Sequence, residues 1–130
     1  MADSQPVGVK GVKAARHDLV HPYPNHVESE VYAFGAEKYF DRNWERGYDW
    51  GKSLAALERH IAAFKAGEDL DPESGLPHLA HARWHTGVLL VFWKLQLGTD
   101  DRTNLKMSLF SDLLNADEIA IAKAKEQGNG

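Results

Sequence analysis

The chain has 130 residues, enough for one domain that buries roughly two-thirds of its unfolded surface. Its net charge of −4 and pI near 5.9 exclude a dedicated duplex nucleic-acid binder, which carries a basic face. With no cysteine there is no disulfide framework, no thiolate metal site and no thiol nucleophile, so any metal must sit on carboxylates and imidazoles.

Residues 1–13 are small, polar and glycine-containing, and read as a flexible arm preceding a single helical domain over residues 14–127. Nothing in that arm resembles a signal peptide, because Lys10, Lys13 and Arg16 interrupt the first apolar run. Pro22 and Pro24 bracket Tyr23 and predict an extended path, with a first helix over about His26–Phe40 capped by Asn25. Val27, Val31, Phe34 and Ala33 form its inward face, and Gly35 permits close approach of a neighbouring chain or ligand. The aromatic and charged stretch Asp41–Gly51 reads as a loop whose tryptophans serve as hydrophobic plugs or as a platform for a flat ligand.

A second helix is expected from a Ser53 cap to about Ala66, with Gly67 ending it. Leu57, Ile61, Phe64 and Glu68 recur at helical spacing as one stripe that begins apolar and ends in a carboxylate, with His60 beside it. After the acidic connector EDLDPESG, a third helix over about Leu76–Leu97 opens at Pro77 and ends before Gly98. His78, His81 and His85 are spaced i, i+3 and i+7 on it, and Leu89 and Phe92 continue that face. Leu105, Met107, Leu109 and Phe110 suit a strand-like or a helical link, and an amphipathic helix follows from about Ala116. The architecture is all-α, a helical bundle of about four helices. Its longest apolar run, Gly87–Trp93, is far short of the ~20 residues of a membrane span, so a soluble intracellular protein is expected.

Between Glu58 and His85 lie four of the seven histidines, threaded among acids. Any one is more readily a satisfied structural residue than a ligand. Together, titratable groups on faces that otherwise read as core need partners, and Glu68, Asp71, His78 and His81 are expected to converge at the helix junction.

The segments ARHDLVHPYP, GAEKYFDRNWERG and LERHIAAFKAGEDLDPESGLPHLAHARW resemble the phage dATP/dGTP diphosphohydrolase N-terminal family, placed near the all-α MazG-like nucleotide pyrophosphohydrolases. The resemblance implies a MazG-like fold and a phage enzyme in the host cytoplasm, one that converts dATP or dGTP to the monophosphate and pyrophosphate with Mg2+ or Mn2+. MazG-like enzymes carry an acidic pair at i, i+3 on one helix and another pair on the next. Here only Glu68 and Asp71 have that spacing, and the third helix offers His78 and His81 instead. Either imidazoles rebuild the metal site, or a nucleotide pocket persists without hydrolytic metals.

On this reading Glu68 and Asp71 are the first metal ligands, with His78, His81 and Glu37 as further candidates, and His60 orients a ligand or acts as general base. Arg16, Lys38 and Arg59 are candidate phosphate clamps, while Tyr39, Asn43 and Trp44 suit a purine. The alternative is a nucleotide-sequestering protein, for instance of a host signalling nucleotide, that turns nothing over. A homo-oligomer is expected through the apolar third helix, at Trp84, Leu90, Phe92 and Trp93.

Overall fold

The computed structural model describes residues 7–11, 13–104 and 107–128. Residues 1–6 and 12 of the expected arm, and Leu105 of the expected link, lie outside the described residues. Among the described residues there is no β-strand, and four α-helices follow in order: α1 (Pro22–Lys38), α2 (Trp50–Lys65), α3 (His78–Leu95) and α4 (Met107–Gly128). The all-α bundle expected from the periodicity is therefore present.

The helix starts differ from expectation for identifiable reasons. α1 begins at Pro22 and takes both prolines into its first turn, because a first-turn residue has no intrahelical partner for its N–H and proline lacks one. The cap is His21, whose Nδ1 accepts the Tyr23 N–H at 3.1 Å; Asn25 lies within the helix. α2 begins at Trp50, and Ser53 is a buried residue inside it instead of a cap. An acid from a distant segment meets its exposed end, as the Gly51 N–H donates to Asp101 Oδ1 at 2.7 Å. The expected link at Met107 opens α4, so it is helical.

Two apolar clusters hold the bundle. Val27 and Val31 of α1 pack on Ala80 of α3, while Trp50 of α2 packs on Val88 and Phe92 of α3. Trp84 joins both from the middle of α3. Ala33 is exposed and Phe34 only half-buried, so the inward face of α1 is narrower than expected. The apolar stripe proposed for α2 is also displaced. Ile61 and Phe64 are 44% and 41% exposed, and the line facing α3 runs through Trp50, Ser53 and half-buried Leu57 to His60. Opposite that line α3 presents imidazoles, so hydrogen-bonding groups rather than aliphatic ones face inward there.

The 41–50 segment is pinned from behind. A 3-10 turn at Asn43–Arg46 leads to Gly47, and the chain then runs beside residues 97–99, with the Trp50 N–H donating to Thr99 O and Trp50 Nε1–H to Leu97 O. Gly47 and Gly98 have φ of +82° and +73°, and a Cβ on Gly98 would lie 2.3 Å from Tyr48 O. Only glycine fits that crossing.

Phe92, expected at an oligomer contact, is fully buried in the chain's own core. Leu90 and Trp93 are exposed on α3, and every described side chain of α4 is exposed. No helix among the described residues is long and apolar enough to cross a membrane.

Gly98→Ala combines a backbone clash with a φ that L residues avoid, and is expected to lower the urea midpoint clearly. Gly35→Ala, at a helical site with nothing within 4 Å, should raise stability by roughly 0.5–1 kcal/mol. Equal midpoints for the two variants would contradict the 47–49/97–99 crossing.

Candidate functional site

Four imidazoles meet where α2 ends and α3 begins. His60 stands in the middle: its ring stacks on His81 with centroids 4.5 Å apart and 5° between planes, and lies 5.1 Å from His78 and 6.0 Å from His85. His60 Nδ1 faces His78 Nδ1 at 2.8 Å. The opposite nitrogen of His78, Nε2, is 2.7 Å from Glu68 Oε1.

The connector between the helices is folded tightly enough to aim its acids. Asp71 N–H donates to Leu76 O, His78 N–H donates to Asp69 O, and Gly75 N–H donates to Asp71 O. Those bonds turn the Asp71 carboxylate inward, where Oδ2 accepts from the backbone N–H and hydroxyl of Ser74 and lies 3.5 Å from His81 Nε2. With the Ser74 hydroxyl given to Asp71, His81 Nε2–H is the donor in its 2.7 Å contact with Ser74 Oγ.

Electrostatics favour the neutral form of His60, His81 and His85 and the charged form of Asp71. Burial lowers His81; burial and the neighbouring His81 lower His60; and burial, with His60 and His81 beside it, pushes His85 down to about 4. Burial alone would raise the Asp71 carboxyl, but the two Ser74 hydrogen bonds outweigh it and hold Asp71 below the usual carboxylate range.

Beside this cluster lies a cavity of about 660 Å³ between α1, the 41–48 segment, α2 and α3. Its walls are mainly aromatic, with Tyr32, Tyr39, Phe40, Trp44 and Trp84, and Gly35 opens one side. His85 and Ser53 belong to the same wall, and His85 Nδ1 is 3.0 Å from Ser53 Oγ, which also meets the Tyr48 hydroxyl. His85 thus touches both the cavity and the imidazole cluster. The indole N–H of Trp84, also on the wall, is buried with no hydrogen-bond partner.

The structure therefore brings together His60, Glu68, Asp71, His78 and His81, and separately gathers Tyr39, Asn43 and Trp44 around the cavity. Glu37 is exposed and makes no hydrogen bond or ion pair to the cluster. Arg16 is engaged with Asp18 on a 3-10 turn, and Lys38 pairs with Glu73 at 2.8 Å next to the acidic connector. Arg59 is exposed beside His60. Sequence reasoning passed over Lys52, Ser53 and Tyr48 as lining groups, although Ser53 and His60 lie seven residues apart and share a helix face.

A family model described as dATP/dGTP diphosphohydrolase, N-terminal, matches residues 4–102. A protein named dATP/dGTP diphosphohydrolase, from Salmonella phage PMBT28, is 35% identical over 86 residues, covering 65% of this chain and 29% of that protein. The match thus spans less than a third of the relative's own length. No solved structure matches the chain.

The neutral imidazoles make stability depend on pH with a definite sign. In the unfolded chain they take protons near pH 6.5, whereas the folded values are lowered, so the unfolded state binds more protons below that point. Their contribution is fully present above about pH 6.5 and is lost as the pH falls toward 4. Urea midpoints at pH 7.5 and pH 5 should differ, the lower pH being weaker; a flat profile would mean solvated histidines.

Proposed function

The chain belongs to the dATP/dGTP diphosphohydrolase N-terminal family, and on that premise we propose that cavity and cluster act together on a purine deoxynucleoside triphosphate. In this reading water attacks the α-phosphorus, and the bond from that phosphorus to the oxygen bridging to the β-phosphorus breaks. The products are the deoxynucleoside monophosphate and pyrophosphate, and the proton of the water is released.

The observation that carries the reading is the adjacency of an aromatic cavity to a set of neutral imidazoles and a charged acid, joined at His85. The cavity volume suits a compact organic ligand. Tyr39 and Trp44 offer faces on which a purine stacks, and the Asn43 amide can both donate to and accept from a base edge. Lys52 and Arg42, among the lining residues, bring positive charge for phosphate oxygens. Lys38 and Arg59, close to the connector and to His60, extend that charge. Because His85 and not His60 lines the cavity, this reading takes His60 as a metal ligand and not as the general base.

A divalent cation, Mg2+ or Mn2+, belongs to the same reading. Asp71 with the facing imidazoles of His60 and His78 would hold it, and once bound it would offset charge on the triphosphate. A mixed nitrogen and oxygen donor set suits Mn2+ better than Mg2+. The reading also includes a phage enzyme working in the host cytoplasm as a homo-oligomer assembled through exposed Leu90 and Trp93 on α3. A monomeric mass by light scattering would remove the oligomer.

Incubation of the full chain with dGTP or dATP and Mn2+ or Mg2+ should yield monophosphate and pyrophosphate on chromatography. Trp44→Ala is expected to raise KM by roughly tenfold or more, the scale of one lost base stack. Asp71→Asn should depress kcat with the fold intact. Saturable binding of unchanged nucleotide would replace hydrolysis with sequestration, and absence of binding would remove both.

A further inference from the structure

The contact between His60 and His78 poses a proton problem. Two ring nitrogens 2.8 Å apart share one hydrogen in the metal-free chain, and an ion placed between them would displace that proton and take both lone pairs. For His78 the Glu68 carboxylate accepts the Nε2–H at 2.7 Å, which turns Nδ1 toward His60 as the inner nitrogen. His78 is buried, so this tautomer is held by packing as well as by the acid. His60 is clamped by parallel stacking on His81, and its Nδ1 points to the same spot. A carboxylate oxygen of Asp71 completes the group, with all three donor atoms within 4.8 Å of one another.

We propose that His60 Nδ1, His78 Nδ1 and Asp71 bind one first-row transition-metal ion, with Glu68 acting from behind as the residue that orients His78. Donors about 2.0–2.2 Å from a common ion stand ~3–4 Å apart, so the nitrogen pair opens slightly and the carboxylate closes slightly. An acid on the outer nitrogen of a ligating imidazole is a recurrent supporting contact, because it sets the tautomer and strengthens the inner nitrogen as a donor. Glu68 occupies that place at His78. Ser74 does the corresponding work for Asp71, donating two hydrogen bonds to one oxygen and leaving the other free to ligate.

Two imidazoles and one carboxylate select against Mg2+, which prefers an all-oxygen shell, and favour Mn2+, Fe2+, Co2+, Ni2+ or Zn2+. Three protein donors leave further positions open for water or a phosphate oxygen. The site sharpens the cation of the hydrolytic reading but does not need that reading, since binding is measured with metal alone.

The test is titration of the full chain with Co2+ and no nucleotide, followed by calorimetry and visible absorption. One ion per chain with ligand-field bands is expected, and Mg2+ in large excess should not displace it. His60→Ala and Asp71→Asn should each weaken Co2+ binding at least roughly tenfold, as expected when a ligand is removed. Glu68→Gln should weaken it about 10–100-fold while keeping the band pattern, the mark of an orienting residue rather than a ligand. Glu68 is half-exposed, so this variant carries the test if a variant at buried His78 fails to fold. No saturable Co2+ binding, displacement by equimolar Mg2+, or unchanged affinity in His60→Ala would overturn the proposal. Co2+ binding without dNTP turnover would remove the hydrolytic reading and leave the site standing.

Discussion

The seam between α2 and α3 is closed by imidazoles in a position where a small bundle ordinarily places aliphatic side chains. His60 reaches from α2 into the space between His78, His81 and His85, and the four rings fill it by stacking and by hydrogen bonds at their edges. Such a seam persists only while the nitrogens turned inward have partners, because an orphaned buried donor is costly. Glu68, Asp71, Ser53 and Ser74 supply those partners. The acidic connector is therefore as much a part of the packing as the helices.

That arrangement orders the rest of the molecule. The connector's backbone bonds hold Asp71 and Ser74 against α3, which in turn carries Trp84 and His85 to the wall of the aromatic cavity. At the other end of α2 the core is conventional, with Trp50, Val88 and Phe92 in contact and the 47–49 strip locked to 97–99 through two glycines. A polar, titratable half and an apolar, rigid half share the same pair of helices. The cavity opens where they meet, so a ligand there would contact both aromatic surface and imidazole.

The carboxylate pairs at i, i+3 that characterise MazG-like enzymes are not reproduced. Glu68 and Asp71 keep the spacing but lie past the end of α2, on a connector where spacing no longer means a shared face. Their side chains engage different histidines, Glu68 with His78 and Asp71 with His81. The junction thus gathers mixed nitrogen and oxygen donors in place of two carboxylate pairs.

Helical periodicity, the glycine and proline positions and the clustering of histidines with acids were enough to determine an all-α chain and to bring histidines and acids together at the junction of the second and third helices. These signals are local: they depend on spacing along one helix and on what a residue can do at a turn. The tertiary structure decided what no single segment carries. It rotated α2 so that His60 rather than Ile61 and Phe64 faces α3, and it supplied Asp101 from beyond α3 to the start of α2. It also buried Phe92 within the chain and gathered Tyr39, Asn43 and Trp44 with His85 around one cavity. The physical reason is that a helix face is chosen by its partner: His60 and His85 turn inward where the facing helix offers a hydrogen bond, from a residue eighteen and thirty-two positions away in the chain.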